Sequence, residues 1–169
     1  RAASAGMFLG ADGRLVPGSN HEGYRSVGVP GTVAGFDLAL RTLGTRSWAE
    51  VAAPAARLAA EGFVLSKALA DSLARQAAAW AKCPAAARSF LRPDGSPYRT
   101  GDRLRQPDLA HTLERLRAAG RDGFYRGETA RLIADDMRRN GGLITERDLA
   151  DYRAEERVPL WGHFRGYDV

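Results

Sequence analysis

Pro30-Gly-Thr-Val-Ala-Gly-Phe-Asp-Leu-Ala-Leu-Arg-Thr-Leu-Gly-Thr-Arg-Ser-Trp-Ala-Glu50 reads as a turn, a complete helix, a break and the start of a second helix. After the Pro30-Gly31 turn, Val33, Phe36, Leu40 and Leu43 recur at the spacing that lines one helical face. Gly44 follows, where glycine suits a C-terminal cap. Ser47 and Glu50 stand three apart, so the serine oxygen and the carboxylate can satisfy free amides at the next helix's N-terminus. One apolar stripe does not offset the ~1–2 kcal/mol per residue that ordering a backbone costs. Helices punctuated this closely must therefore pack on one another.

Working outward, the second helix runs to about Glu61-Gly62, with Pro54 near its middle expected to bend or split it. Leu65, Leu69, Leu73 and Trp80 mark a third helix on one stripe that also holds Ala77, with Ser66 near its start. From Cys83-Pro84 to Gln106 the chain reads mostly as loop, with a strong turn at Pro93-Asp94-Gly95. Pro107 opens another helix through Leu109, Leu113 and Leu116, which stops at Gly120. A further helix runs from about Glu128 through Leu132, Ile133 and Met137 to Asn140-Gly141-Gly142. Thr145 is placed to cap a short final helix, Glu146 to Tyr152, with Asp148 as an imperfect capping-box partner. From Val158 to Val169 the residues alternate as a strand or hairpin would, and the pairing neighbour is expected outside this stretch.

The expected fold is mainly α: an orthogonal assembly of five or six helices with one C-terminal β-strand. Residues 1–157 are expected to form the helical part, and 158–169 the start of a strand leading into a sheet core. The chain opens on Arg1 and closes at Val169 inside an alternating run, which suggests a piece of a larger protein.

The net charge of +5 comes almost wholly from arginine, since Lys67 and Lys82 are the only lysines. Basic residues are interleaved with acids, as in Asp135-Asp136-Met137-Arg138-Arg139, which describes a solvated, ion-paired surface and argues against a nucleic-acid partner. No apolar run is long enough to cross a bilayer. Cys83 is alone, so it forms no internal disulfide and does not fix the compartment.

Each chemically suggestive residue has a plainer structural reading. Gly28 to Gly35 precedes a helix but lacks the lysine and glycine spacing of a nucleotide loop; Gly31 and Gly35, four apart, instead permit close packing. His21, His111 and His163 are too scattered to ligate a metal together, and Asp108 with His111 reads as a surface pair. Cys83 has no histidine near it in sequence, so it reads as an inert thiol rather than a nucleophile. Trp48 and Trp80 fall in helical patterns and, with Trp161, read as packing residues. Around Gly123-Phe-Tyr-Arg-Gly127, Phe124 and Tyr125 are expected to staple the entry to the next helix while Arg126 and Glu128 are solvated. We therefore assign no catalytic, substrate-binding or metal residue within the chain, and no cofactor.

In their order and separation, Met7-Phe8, Val27-Gly-Val-Pro-Gly-Thr-Val-Ala-Gly35, Arg105-Gln-Pro-Asp-Leu-Ala110, Gly123-Phe-Tyr-Arg-Gly127, Gly141-Gly-Leu-Ile-Thr-Glu-Arg-Asp-Leu-Ala-Asp-Tyr152 and Phe164-Arg-Gly-Tyr-Asp-Val169 resemble the middle to C-terminal part of the large subunit of gamma-glutamyltranspeptidases. The resemblance implies an αββα N-terminal-nucleophile hydrolase whose precursor cleaves itself. The newly exposed threonine then attacks a gamma-glutamyl carbonyl, as in glutathione, and the acyl group passes to water or an amine by a ping-pong route. That threonine has no counterpart here, nor has the family's substrate-gripping arginine: Arg1 stands too close to Met7 and is followed by Ala2. The stretch alone is thus expected to be inactive. Its implied partners are its own small subunit, generated by autoproteolysis, and small gamma-glutamyl substrates. Export to the periplasm or medium is implied by the resemblance alone. Acylase-type relatives, acting on cephalosporins or gamma-linked polymers, are the alternative, and a non-catalytic helical interaction module is a second.

Overall fold

In the computed structural model, which describes residues 2–169, helices dominate and the strands are short. Arg1, which does not match the family's substrate-gripping arginine, lies outside the described residues. Eight α-helices follow in order: α1 (Thr32–Leu43), α2 (Trp48–Glu61), α3 (Lys67–Trp80), α4 (Pro84–Phe90), α5 (Pro107–Ala119), α6 (Asp122–Tyr125), α7 (Gly127–Arg139) and α8 (Glu146–Asp151). The described strands are two antiparallel pairs, β1 (Phe63–Val64) with β2 (Arg103–Leu104), and β3 (His163–Phe164) with β4 (Tyr167–Asp168). The chain divides into two compact units, one made of the segment ending at Gly44 together with Ala130–Val169, the other of Thr45–Thr129.

In the Thr45–Thr129 unit, α2 begins where the sequence places it. The Ser47 hydroxyl accepts from the Glu50 amide at 3.3 Å, and Glu50 accepts from the Ser47 amide at 2.8 Å, closing the capping box. Of the bend or split expected at Pro54, the split does not occur: α2 runs unbroken through it. Pro54 sits on the exposed side of the helix, as does Glu50, whose carbonyl loses its ladder donor to the proline, while Ala52, Ala56 and Ala59 form a buried stripe opposite. α2 packs along α5, which buries Ala110 and Leu116.

β1 and β2 pair Phe63 with Leu104 and Val64 with Arg103, and Leu65 donates to the Asp102 carbonyl at 2.8 Å. Around this ladder Leu65, Ala70, Leu73 and Leu104 form a buried cluster flanked by Phe63, Trp80, Phe90 and Tyr98. Leu69, expected on the buried stripe of α3, faces outward because Ala70 takes the inner position. The segment 83–106, expected to be mostly loop, holds α4 as well as β2. Pro84 starts α4 at its first turn and Phe90 ends it, stacking on Trp80 with centroids 4.7 Å apart. The Pro93-Asp94-Gly95 turn forms as expected: the Gly95 amide donates to the Arg92 carbonyl, and Asp94 accepts from the Ser96 hydroxyl at 2.6 Å.

In the other unit α1 ends at Gly44, whose amide donates to the Leu40 carbonyl. Its buried residues are Ala34 and Asp37, whereas Phe36 and Leu43, expected in the core, are 59% and 86% exposed. Within 130–139, α7 buries Ala130, Ala134 and Met137, again placing alanines inward and leaving Leu132 exposed. At α8 the capping box expected to be imperfect is complete: Thr145 and Asp148 exchange both hydrogen bonds, at 3.0 and 3.2 Å. The tail forms a hairpin, one of the two forms its alternation allows, so its strands pair with each other where a neighbour outside the stretch was expected. Arg165 and Gly166, at φ 50° and 86°, supply the left-handed pair that a tight two-residue turn requires, and Gly162 and Val169 exchange backbone hydrogen bonds beyond it.

Candidate functional site

Phrases far apart in sequence meet in the unit that contains both termini of the described chain. Met7, Arg25, Val27, Gly28, Val29, Leu143, Ile144 and Asp148 line one shallow cleft of about 150 Å³. Beside it, a β-carbon added to Gly31 would collide with the Tyr152 hydroxyl, so the glycine-rich entry to α1 is held tightly against the end of α8. The close-approach reading of Gly31 is met; Gly35 has open space where a side chain would go. The carboxylate at this cleft belongs to a helix cap. The Asp148 carboxyl is held below the ordinary carboxylate range chiefly by the Thr145 hydroxyl at 2.6 Å and then by the Thr145 amide, which favour its charged form. Chemically this is a capped helix start beside a packed turn.

The other residues weighed from sequence do not converge. His21, His111 and His163 are all exposed, and His163 Nδ1 lies 3.1 Å from Asp168 Oδ1 across the hairpin. Asp108 and His111 both stand exposed on α5. Among the described residues no group of three or more His, Cys, Asp and Glu side chains is arranged to hold a metal ion. Cys83 is exposed and its carbonyl accepts from the Ala87 amide at the start of α4. Trp48 and Trp80 are half-buried, and Trp161 is 76% exposed on the tail, so packing within this chain does not account for it.

Around α6, Tyr125 is the anchor, at 0% exposure, with the Phe124 ring edge-on at 5.0 Å and the Arg121 guanidinium over its face at 4.8 Å. Arg126 and Glu128 are exposed. Three further residues were not legible in the sequence: the buried Thr129, whose hydroxyl donates to the Gly123 carbonyl at 2.8 Å, and Arg103 and Arg105, which donate to the carbonyls of Gly62 and Glu61 at the end of α2. Basic residues downstream of a helix are a weak signal for such capping, since only the fold tells which helix end they reach. The remaining depressed carboxyls are local too: Glu50 is lowered first by the Ser47 amide, then by the Ser47 hydroxyl and Arg46, and Asp94 by the Ser96 hydroxyl and amide.

The geometry thus consists of caps, turns and anchors, with the recurring phrases joined by packing. The family model for gamma-glutamyltranspeptidase matches residues 1–169. The chain belongs to the gamma-glutamyltranspeptidase family. A glutathione hydrolase proenzyme of Pseudomonas sp. strain A14 is 40% identical over 168 residues, covering 99% of the chain but only 29% of that protein's length. The Acylase ACY 1 proenzyme of Pseudomonas sp. strain SE83 is 41% identical over 150 residues, covering 89% of the chain and 27% of its own length. The crystal structure of Helicobacter pylori gamma-glutamyltranspeptidase superposes with a TM-score of 0.94 at 38% identity, over 99% of the chain and 48% of the solved one. The helical stretch with its short strand pairs is therefore a fragment of that family's fold, spanning under a third of the length of its proenzyme relatives.

Proposed function

We propose that these residues are the helical portion of the large subunit of a self-processing gamma-glutamyl transferase or hydrolase that acts on glutathione and related gamma-glutamyl amides. The observation that carries the reading is family identity sustained along the whole chain, with relatives named as proenzymes. In this reading a precursor cleaves itself, and the threonine so exposed, outside the present residues, forms a gamma-glutamyl ester that water or an amine resolves. The partner of the segment is the small subunit released by that cleavage. Residues 158–169, with β3 and β4, lead toward the sheet core. A two-residue hairpin with Phe164 and Tyr167 exposed is marginal alone, which supports a covering neighbour. The segment contributes shape, consistent with polar clusters engaged in caps and turns.

A second reading, an acylase cutting the side-chain amide of a cephalosporin, is favoured by the 41% identity to an acylase proenzyme. Both are tested on the complete precursor that contains this stretch. We expect it to cleave into two chains and then to hydrolyse a gamma-glutamyl anilide and glutathione faster than a cephalosporin amide. The reverse preference selects the acylase, and loss of neither substrate after blocking self-cleavage refutes both.

A further inference from the structure

The Asn140-Gly141-Gly142 stop of α7 holds a reactive dipeptide in the open. Asn140 and Gly141 are both exposed. Gly141 stands at φ 73°, and Gly142 closes the turn by donating its amide to the Met137 carbonyl at 2.7 Å. The Gly141 amide makes no hydrogen bond among the described residues. With no side chain on Gly141, nothing crowds its nitrogen when the backbone turns it toward the Asn140 side-chain carbon. A pair of hydrogen bonds stands in the way. Asn140 Nδ2 donates to the Asp136 carbonyl at 2.9 Å and to Asp136 Oδ1 at 3.2 Å, which holds the side chain against the preceding turn. Both partners are acceptors, so the amide nitrogen, and not its oxygen, must face them.

We infer that Asn140 is a site of spontaneous deamidation whose rate is set by Asp136. A base from the solvent takes the Gly141 amide proton, and the freed nitrogen bonds to Asn140 Cγ. The Cγ–Nδ2 bond then breaks and releases ammonia, the departing nitrogen taking a proton from water. Water opens the resulting five-membered imide at one carbonyl or the other, leaving an aspartate or an isoaspartate at position 140. Water is the co-reactant throughout. Because Nδ2 leaves, both of its bonds to Asp136 must break, which makes Asp136 a brake. Asn20, the other asparagine of the chain, is exposed too, but the side chain of His21 crowds the nitrogen that would attack it. The product at position 140 cannot rebuild the clamp. A carboxylate only accepts, so it faces the Asp136 carbonyl and carboxylate with no proton to share, at the negative end of the α7 dipole. Arg139 is the cation at hand, already engaged by Asp136 Oδ1 at 3.5 Å. The isoaspartate form also lengthens the backbone inside a turn so tight that a β-carbon on Gly142 would collide with Met137. Ageing here loosens the end of α7 and the packing of the buried Met137.

The test incubates the full-length precursor that contains this stretch, unsubstituted and as Asp136→Ala, in neutral buffer at body temperature. Proteolytic peptides are read by mass spectrometry, and isoaspartate by its specific methyltransferase. We expect the amide-to-acid mass gain and isoaspartate to accumulate at Asn140 while Asn20 stays intact. The loss should run about fivefold faster in Asp136→Ala, the factor given by one hydrogen bond of ordinary net strength. Asn140 surviving as long as Asn20 in both proteins overturns the inference, and equal rates in the two proteins overturn the role of Asp136. Should Asp136→Ala fail to fold, Asp136→Asn, which keeps the shape and removes the charge, decides through the same comparison. The unfolding midpoint of the precursor should also fall on ageing, and fall less in Asn140→Gln, whose longer side chain cannot close the five-membered ring. An equal fall in both places the damage elsewhere and removes the loosening of α7.

Discussion

At the scale of single residues, the clearest physics lies in the Thr145–Asp148 cap. The Thr145 hydroxyl donates a hydrogen bond to the Asp148 carboxylate at 2.6 Å and accepts one from the Asp148 amide at 3.2 Å. Because these bonds favour the carboxylate, the folded Asp148 titrates below its ordinary value of 3.8. The sign follows: the stabilisation is fully present above that ordinary value and is lost as pH falls through the depressed one. We predict that Thr145→Ala lowers stability at pH 7 by about 1 kcal/mol, the usual cost of an N-cap. In chemical denaturation the gap between variant and parent should shrink as the pH is taken below 3.8; a gap that persists unchanged would assign the loss to packing instead. The serine and threonine caps were legible in the sequence, because a cap needs only its own four residues.

Elements show where such local legibility stops. The longer helices were readable from spacing, since one apolar stripe suffices to announce a helix, and Leu73, Leu116 and Met137 are buried as their stripes require, but the full set of inward positions was not. In α2, α3 and α7 alanines take the buried places, as with Ala56, Ala70 and Ala134, while larger neighbours such as Leu58, Leu69 and Leu132 turn outward. Small residues let helix backbones approach closely, so the tightest contact need not coincide with the most apolar stripe. α2 and α5 illustrate the cost of disturbing it. Ala56 is 2% exposed on the buried stripe of α2, and Ala56→Leu should destabilise the protein by ~1–3 kcal/mol through overpacking. Thermal unfolding of the precursor checks this, and an unchanged midpoint would show that the helices can separate without loss. Pro54 makes the complementary point: read locally it breaks a helix, yet it stands on the exposed side, four residues after the equally exposed Glu50 whose carbonyl loses a donor, and α2 continues through it.

Over the whole molecule, the proposed reading divides the labour between a segment that gives shape and reacting groups that lie outside it. Tyr125, wholly buried, with Phe124 edge-on and Arg121 over its ring, anchors α6. Tyr125→Ala in the precursor should cost ~3–5 kcal/mol, seen as a lower yield of folded, processed protein. Molecules that do fold should keep their KM for a gamma-glutamyl anilide, whereas a raised KM would place Tyr125 at the substrate. By itself the sequence determined α1, α2, α3, α5, α7 and α8, the Ser47 and Thr145 caps, the Pro93-Asp94-Gly95 turn and the family, while α4 escaped it; spacing, capping residues and ordered phrases act over short stretches of chain. Only the tertiary structure decided that alanines take so many of the buried places, that α2 runs unbroken through Pro54, that the strands of the tail pair with each other, and that Phe36 and Leu43 stand exposed. Burial depends on which backbone arrives alongside, and residues distant in sequence, or beyond this segment, supply it.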